Sequence, residues 1–413
     1  MNATVLSCFS GLGGLDLGLE AAGFETVGCL EIDAAARVAM ALNRPSWQLL
    51  EPSNVVAAGK ILRPSDLGLE KGDLTLLAGG PPCQPFSKAA QWAAPKQGVR
   101  DERGQTTAGM LDLIEHFLPR AVLIENVSGY LSGRNNAAPL IEQRFKEINA
   151  THGTAYNLSS WVVNAADYGV PQYRRRAVVI AFRDGSELPG TLPTTHADKH
   201  ATAWDAIGGV MPSNPPKATG KYSDLLPSIP EGGNYQYLTA RGAGSEHEVF
   251  GYRTRFWSFL LKLSKSQPAW TLPASPGPST GPFHWENRPL TGTERLLLQG
   301  FPAEWKLTGN ERVDARLAGN ATPPPLAESM GRLILAMLED PSRVPHADTI
   351  RPVLAVQQRD AAPPPPHPAA PLPLRWRAVV GSKEPHPGPG QGPGGHAPTD
   401  FEPTDSEVQV EAT

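Results

Sequence analysis

The sequence predicts an open, mostly parallel α/β sheet accompanied by a smaller, irregular lobe. Three observations carry this reading. Short apolar runs alternate with helix-patterned stretches up to about residue 185. From 186 to 285 the periodicity fades and Pro, Gly, Ser and Thr become frequent, with one better-formed stretch at Arg253 to Lys265. Helical texture then returns at Thr291 to Leu298 and at Pro325 to Leu338.

The apolar run Thr4 to Phe9 reads as the first strand. Phe9, Ser10, Gly11, Leu12, Gly13 and Gly14 follow it and open a helix, Gly13 to Ala22. Glycines there permit a tight turn and let a ligand approach the backbone and the helix N-terminus. The G-x-G-x-x-G spacing of dinucleotide-binding loops is absent. Glu25 to Leu30 is the second strand, ending at Glu31. An acidic residue in that place can accept both hydroxyls of a ribose, so the loop and Glu31 together point to an adenosyl cofactor. Asp33 competes for the role; Glu31 is preferred because it comes first after the strand.

Leu74 to Ala78 is the third strand. Gly79, Gly80, Pro81, Pro82, Cys83, Gln84, Pro85, Phe86 and Ser87 follow it. Proline fixes φ and removes donors, which stiffens the loop and aims the thiol. Ligands of open α/β sheets sit at the carboxyl edge of the strands, so Cys83 is read as a nucleophile. Cys8 and Cys29 lie inside apolar runs and are read as core. Ala121 to Ile124 is the fourth strand, with Glu125 and Asn126 at its end. Ala177 to Phe182 is the fifth, preceded by Arg174, Arg175 and Arg176.

Of 413 residues, 19% are charged and 40% hydrophobic, enough for a large core. A formal net charge of -4 excludes a uniformly basic binder but allows a local basic face. The three cysteines form no CxxC pair, which argues against a zinc cluster or a disulfide framework, and no metal is expected. No apolar run is long enough to span a membrane and no signal peptide is recognisable, so the chain is expected to be soluble, cytoplasmic and monomeric.

Together these residues resemble the motifs of the DNA (cytosine-5) methyltransferases of bacterial restriction-modification type. Pro81-Pro82-Cys83-Gln84 resembles the catalytic loop of that family and Glu125-Asn126-Val127 its Glu-Asn-Val motif. Gln172, Arg174 and Arg176 match a Gln-x-Arg-x-Arg pattern. Arg288, Leu290, Thr291, Glu294, Gln299, Phe301 and Pro302 resemble the motif after its variable region, and Gly319, Asn320 and Pro323 to Pro325 its final motif. The order and spacing agree over residues 4 to 340. The resemblance implies a Rossmann-like sheet that binds S-adenosyl-L-methionine. Its parts are a catalytic and cofactor domain (1–185), a target-recognition domain (186–285), a return segment completing the catalytic domain (286–340) and a disordered Pro/Gly-rich tail (341–413). It places the cofactor against Phe9, Gly11, Leu12, Gly13, Gly14, Glu31, Ile32, Asn54, Val55, Pro81, Asn320 and Ala321. Asn54 stands where the family usually has an acidic residue touching adenine; an amide oxygen can still accept from the adenine amino group. Ala321-Thr322 also departs from the family pattern, with little consequence expected.

The implied reaction is methylation of cytosine C5 in a specific duplex sequence. C5 is a poor nucleophile until a thiolate adds at C6, the role of Cys83. Glu125, kept protonated by burial, would relieve charge at N3. Asn126 and Pro82 would shape the loop, and Arg174 and Arg176 would supply cationic donors. Arg175, between them, would face away. The base must be flipped from the duplex. The segment from Ser87 to about Gln105 would close over it, with Gln84, Ser87 and Gln172 on the substrate side. Base reading is assigned to the irregular lobe, with Arg241, Arg253 and Arg255 as candidates and Lys262 and Lys265 as phosphate contacts. A cognate endonuclease acting on the same site would be a partner. The competing readings are an RNA substrate, a catalytically silent DNA-binding protein and a nicotinamide oxidoreductase. The tail is expected to be dispensable, and its apolar island, Leu374 to Val380, to be a leftover patch.

Overall fold

The computed structural model describes residues 2–82, 102–132, 136–252, 257–342 and 345–381. Cys83, Gln84, Ser87, Arg253 and Arg255 lie outside the described residues, as do most of the segment expected to close over the base and the chain beyond 381.

The first lobe is a six-stranded sheet flanked by helices. In chain order its elements are β1 (Ala3–Cys8), α1 (Gly14–Ala22), β2 (Phe24–Leu30), α2 (Ala34–Asn43), α3 (Val55–Ile61), β3 (Leu76–Gly79), α4 (Glu102–Phe117), β4 (Ala121–Val127), α5 (Ala138–His152), β5 (Asn157–Asn164), β6 (Gln172–Tyr173) and β7 (Arg175–Phe182). β6 stands outside this sheet, whose order is β2-β1-β3-β4-β7-β5. β2, β1, β3 and β4 are parallel, as expected. β7 runs antiparallel to β4 and to β5. The sequence reading lacked β5. This edge strand is polar at Asn157, Ser159 and Ser160, and its apolar run is only Trp161 to Val163.

The central strands are buried on both faces, which is why they read as unbroken apolar runs. One face packs under α4 and α5 through Met110, Ile114, Phe117, Ile141 and Phe145. The other packs under α1 and a late helix through Leu15, Leu19, Leu333, Ile334 and Met337.

The second lobe is irregular, as predicted. Its regular elements among the described residues are α6 (Ala203–Ile207), short 3-10 turns and β8 (Ala269–Trp270), which pairs in parallel with β6. An aromatic cluster of Tyr222, Tyr235, Phe250 and Phe259 holds it together. Lys262 and Lys265, expected on phosphate, are buried instead. Lys262 donates to Leu226 O and Ile229 O, and Lys265 pairs with Glu231. In a lobe short of secondary structure, the lysine ammonium of Lys262 supplies donors that stranded carbonyls need.

The return segment forms α7 (Gly292–Leu297), α8 (Glu311–Asn320) and α9 (Pro324–Glu339). Thr291 caps α7 in a reciprocal box with Glu294. The Glu294 carboxylate also takes a bidentate pair from Arg288, at 2.9 and 2.8 Å. α9 packs back on α1, so the first lobe is built from two separate stretches of chain.

The expectation of a disordered tail from 341 is corrected for residues 345–381. Ile350, Leu372 and Trp376 are buried, and a last short helix, α10, spans Leu374–Arg377. Composition undercounted this segment because its few apolar residues are spent at two anchors and do not form a core of their own.

Candidate active site

The carboxyl ends of β1, β2, β3 and β4 converge on one sheet edge. After β1, Phe9 takes a left-handed conformation with φ 60° and its N–H donates to Leu30 O at 2.7 Å. This turns the chain across the end of β2. Glu31 then fastens the loop: Oε2 accepts from Gly11 N–H and Oε1 from Asp33 N–H, both at 2.7 Å. Burial pushes the Glu31 carboxyl above its ordinary range, and the two backbone donors oppose that shift.

The glycines of this loop serve two purposes. Gly11 has φ 55° and open space where a β-carbon would stand. At Gly14 a β-carbon would lie 2.1 Å from Thr322 O and 2.8 Å from the Phe301 ring. At Gly13 it would lie 2.8 Å from the Trp47 ring. Ligand approach was the reason given for all of them; at Gly13 and Gly14 the glycine is required by packing. Leu12 is likewise buried, in a cluster with Trp47, Phe301 and Trp305.

Ile32 follows Glu31 and is 67% exposed, an apolar surface beside a carboxylate that has spent one lone pair on each oxygen. That donor and surface set fits a nucleoside with a ribose diol and a flat base. Asn54 caps α3, its side-chain oxygen accepting from Val56 N–H at 2.8 Å, and Val55 is buried at the start of that helix. The capping bond uses the oxygen that was expected to meet adenine.

The entrance to the cysteine loop is held by β4. Asn126 Nδ2 donates to Pro81 O at 2.8 Å, and Asn126 Oδ1 accepts from Val127 N–H. A β-carbon on Gly80 would lie 3.4 Å from Glu125 Oε2, so the carboxylate sits against the loop that leads to Pro82 and Cys83. Arg176 Nε lies 2.9 Å from Glu125 Oε1. The register explains the pair. Val127 faces Arg176 across the antiparallel ladder, and Glu125, two residues earlier, shares that face as its diagonal neighbour. Arg175 is exposed, as expected from alternation. The Arg176 contact is an ion pair whose N–H is not aligned for a hydrogen bond, and Glu125 Oε1 has no hydrogen-bond partner among the described residues.

Gln172 and Arg174, expected at the substrate and in catalysis, are corrected to interior roles. Gln172 is fully buried, donating to Leu298 O and Gln299 Oε1. Arg174 Nη2 donates to Gly319 O at 2.9 Å and Ala321 O at 3.1 Å. Gln299 Nε2 donates to Ala318 O at 2.6 Å. Together they satisfy carbonyls that a helix end leaves unpaired. Asn320, the last residue of α8, is exposed, and Ala321 is buried beside it.

This clamp delivers Thr322, whose departure from the family pattern was expected to have little consequence and which instead touches the site. Thr322 Oγ1 donates to Glu125 Oε2 at 3.1 Å. Its signal was its place inside the final motif, between Asn320 and Pro323. Ser10 and Asp16, joined at 3.2 Å beneath the glycine loop, were also missed. Burial pushes the Asp16 carboxyl upward. In the second lobe, exposed Arg241 lies 4.0 Å over the Tyr252 ring.

The profile of the C-5 cytosine-specific DNA methylases matches residues 3–336. The chain belongs to this family. It is a DNA cytosine-5 methyltransferase. It is 30% identical over 371 residues to the Type II methyltransferase M.SacI of Streptomyces achromogenes, covering 81% of this chain and 93% of that protein. It is 31% identical over 357 residues to the Type II methyltransferase M.Eco47II of Escherichia coli, covering 81% and 79%. Among solved structures, the fold resembles a Spodoptera frugiperda DNMT2 mutant with TM-score 0.56, at 15% identity over 80% of this chain and 99% of that one. It also resembles the Entamoeba histolytica methyltransferase EhMeth with TM-score 0.54, at 16% identity over 82% and 99%. Among the described residues no helix of the methyltransferase is long and apolar enough to cross a membrane.

Proposed function

We propose that this methyltransferase modifies C5 of a flipped-out cytosine in a short, specific duplex sequence through a covalent adduct with Cys83. One observation carries the reading. Glu125, paired with Arg176 and bonded by Thr322, sits against the start of the Pro81-Pro82-Cys83 loop, on the same sheet edge as the Gly11–Glu31 pocket.

Phe9, Gly11, Glu31 and Ile32 would hold S-adenosyl-L-methionine, with Val55 and Pro81 close by in the fold. Bound there, it supplies the electrophilic methyl group. The Cys83 thiolate adds to C6, and the electron pair displaced from the C5–C6 bond makes C5 nucleophilic. Glu125, as the carboxylic acid, would give its proton to N3 from Oε1, the oxygen that has no hydrogen bond, and accept from the cytosine amino group through Oε2. Arg176 balances the charge that develops on the ring. Once C5 carries the new substituent, loss of its proton to a base re-forms the double bond and expels the Cys83 thiolate. The base must leave the duplex to reach this pocket, at a cost of a few kcal/mol. Arg241, with Arg253 and Arg255, is the proposed base reader. The Type II methyltransferase relatives point to restriction-modification, with a cognate endonuclease cutting the same sequence.

The test is a base-resolution map of 5-methylcytosine in a methylation-free bacterial host that expresses this chain or Cys83→Ala. The expected result is methylation at one short motif, absent in the variant. Folded protein that binds the cofactor and methylates transfer RNA but no DNA would overturn the substrate.

A further inference from the structure

The tail expected to be idle runs from one lobe to the other. Its first anchor is on the catalytic lobe. Ile350 is buried beside α9, and the Glu328 carboxylate, fully buried in that helix, accepts from Val353 N–H at 2.8 Å and Leu354 N–H at 2.9 Å. Val356 N–H donates to Gly169 O at 3.0 Å. The chain then meets α6, where Arg359 N–H donates to Asp205 Oδ1 at 2.8 Å and Trp204 Nε1 to Ala361 O at 3.0 Å. After the prolines 363–366 it reaches the aromatic cluster of the second lobe. Leu372 and Trp376 enter the aromatic cluster, with Trp376 stacked on Tyr222 at 5.7 Å and 28°. Asp224 takes both Trp376 Nε1 at 3.0 Å and Arg375 Nε at 2.8 Å.

No residue of the catalytic lobe belongs to that aromatic cluster. The lobes also meet at the two-residue pairing of β6 with β8, at a cluster joining Ala203 and Ile207 to Leu290 and Leu298, at the pair of His200 with Asp167 and where Gly319 abuts Ala274. The strap adds a tie from α9 to that aromatic cluster, where Leu372 and Trp376 are buried.

We propose that residues 345–381 set the position of the target-recognition lobe over the catalytic lobe. On this proposal the segment is a specificity-determining part of the methylation reaction, with Leu372 and Trp376 as positioning residues. This rests on the reading that the second lobe contacts DNA. A strap that only completed the aromatic cluster would need no continuous connection to α9. One that positions the lobe does, because misplacement of about 1 Å far from the chemistry can lower rates a hundredfold.

The decisive variant inserts twelve Gly/Ser residues between Asp360 and Ala361 in the full chain. Both anchors stay, and the connection becomes flexible. The variant is expected to unfold at the wild-type temperature and bind cofactor as wild type. The KM for duplex DNA should rise roughly tenfold, and methylation at sites differing by one base should gain on the cognate site. Trp376→Ala should show the same shift with a lower unfolding temperature. Hydrogen exchange at the seam amide of Ala269, which donates to Pro171 O, follows lobe position without turnover and should speed up in the insertion variant. Wild-type KM, site preference and seam exchange in that variant would overturn the proposal. A wild-type chain that methylates no DNA would instead overturn the functional reading, and seam exchange would then decide the strap alone.

Discussion

At the scale of single residues, the site is organised around what each polar atom of Glu125 touches. Thr322 holds one oxygen, and Arg176 balances the other without hydrogen-bonding it. Leaving a buried acceptor without its donor costs about 1–3 kcal/mol. Thr322→Val is therefore expected to slow single-turnover methyl transfer by about tenfold while leaving cofactor affinity unchanged. A wild-type transfer rate in this variant would remove Thr322 from the machinery. Lys262 gives a second prediction. Burial pushes its ammonium down to about 8, with Glu231 opposing and Lys265 adding to the shift. Between that value and the ordinary lysine range, the unfolded chain holds a proton that the folded chain has released. Stability should therefore rise with pH across that window and flatten above it. Denaturant titrations from pH 7 to 10.5 should show this rise in the wild type and lose it in Lys262→Met. The same variant should leave the salt dependence of DNA binding unchanged, because a lysine bonded to two interior carbonyls neutralises no phosphate.

At the scale of elements, strand ends and helix ends cooperate. β1 and β2 present the glycine loop and Glu31. β3 and β4 present the cysteine loop and Glu125. The end of α8 presents Thr322 because Arg174 and Gln299 satisfy its last carbonyls. α1 meets the return segment closely enough that Gly14 has no room for a methyl group. Gly14→Ala should cost about 1–3 kcal/mol by overpacking and lower the unfolding temperature by several degrees. It should also reduce turnover, since the carbonyl it strikes belongs to Thr322. Calorimetry showing an unchanged unfolding temperature would contradict this packing. Most of these elements were legible: the apolar runs marked β1, β2, β3, β4 and β7, and the periodicity marked α1 and α9. β5 was not legible, since an edge strand with polar residues lacks the run that marks a buried one. The arginine pattern was read for charge alone, and charge does not tell an interior clamp from a catalytic donor. What separated them is position: Arg174 precedes β7 and bonds Gly319 O and Ala321 O, whereas Arg176 lies in the ladder beside Glu125.

At the scale of the whole molecule, two discontinuities matter. The catalytic lobe is closed by α9, which the sequence motifs foretold, and the second lobe is closed by the strap, which they did not. Residues beyond 381 lie outside the described residues and are rich in Gly and Pro, and no contact of the described residues with them enters the site or the strap described above. A chain ending at Gly381 should therefore keep the unfolding temperature, cofactor affinity and methylation pattern of the full chain. One ending at Ser342 should not, because it leaves the Leu372 and Trp376 sockets empty. Equal behaviour of the two truncations would refute this division.

By itself, the sequence determined the sheet class, the convergence of glycine loop, Glu31 and Glu125 on one edge, and the family. Those features are local: alternation, turn chemistry and motif spacing lie within a few residues of the groups they describe. The tertiary structure alone decided which cations are interior, that Thr322 bonds Glu125 and that the tail straps the lobes together. These depend on contacts between residues far apart in the chain, such as Arg174 with Gly319 and Glu328 with Val353. Neither composition nor periodicity records which distant carbonyl a buried donor will meet.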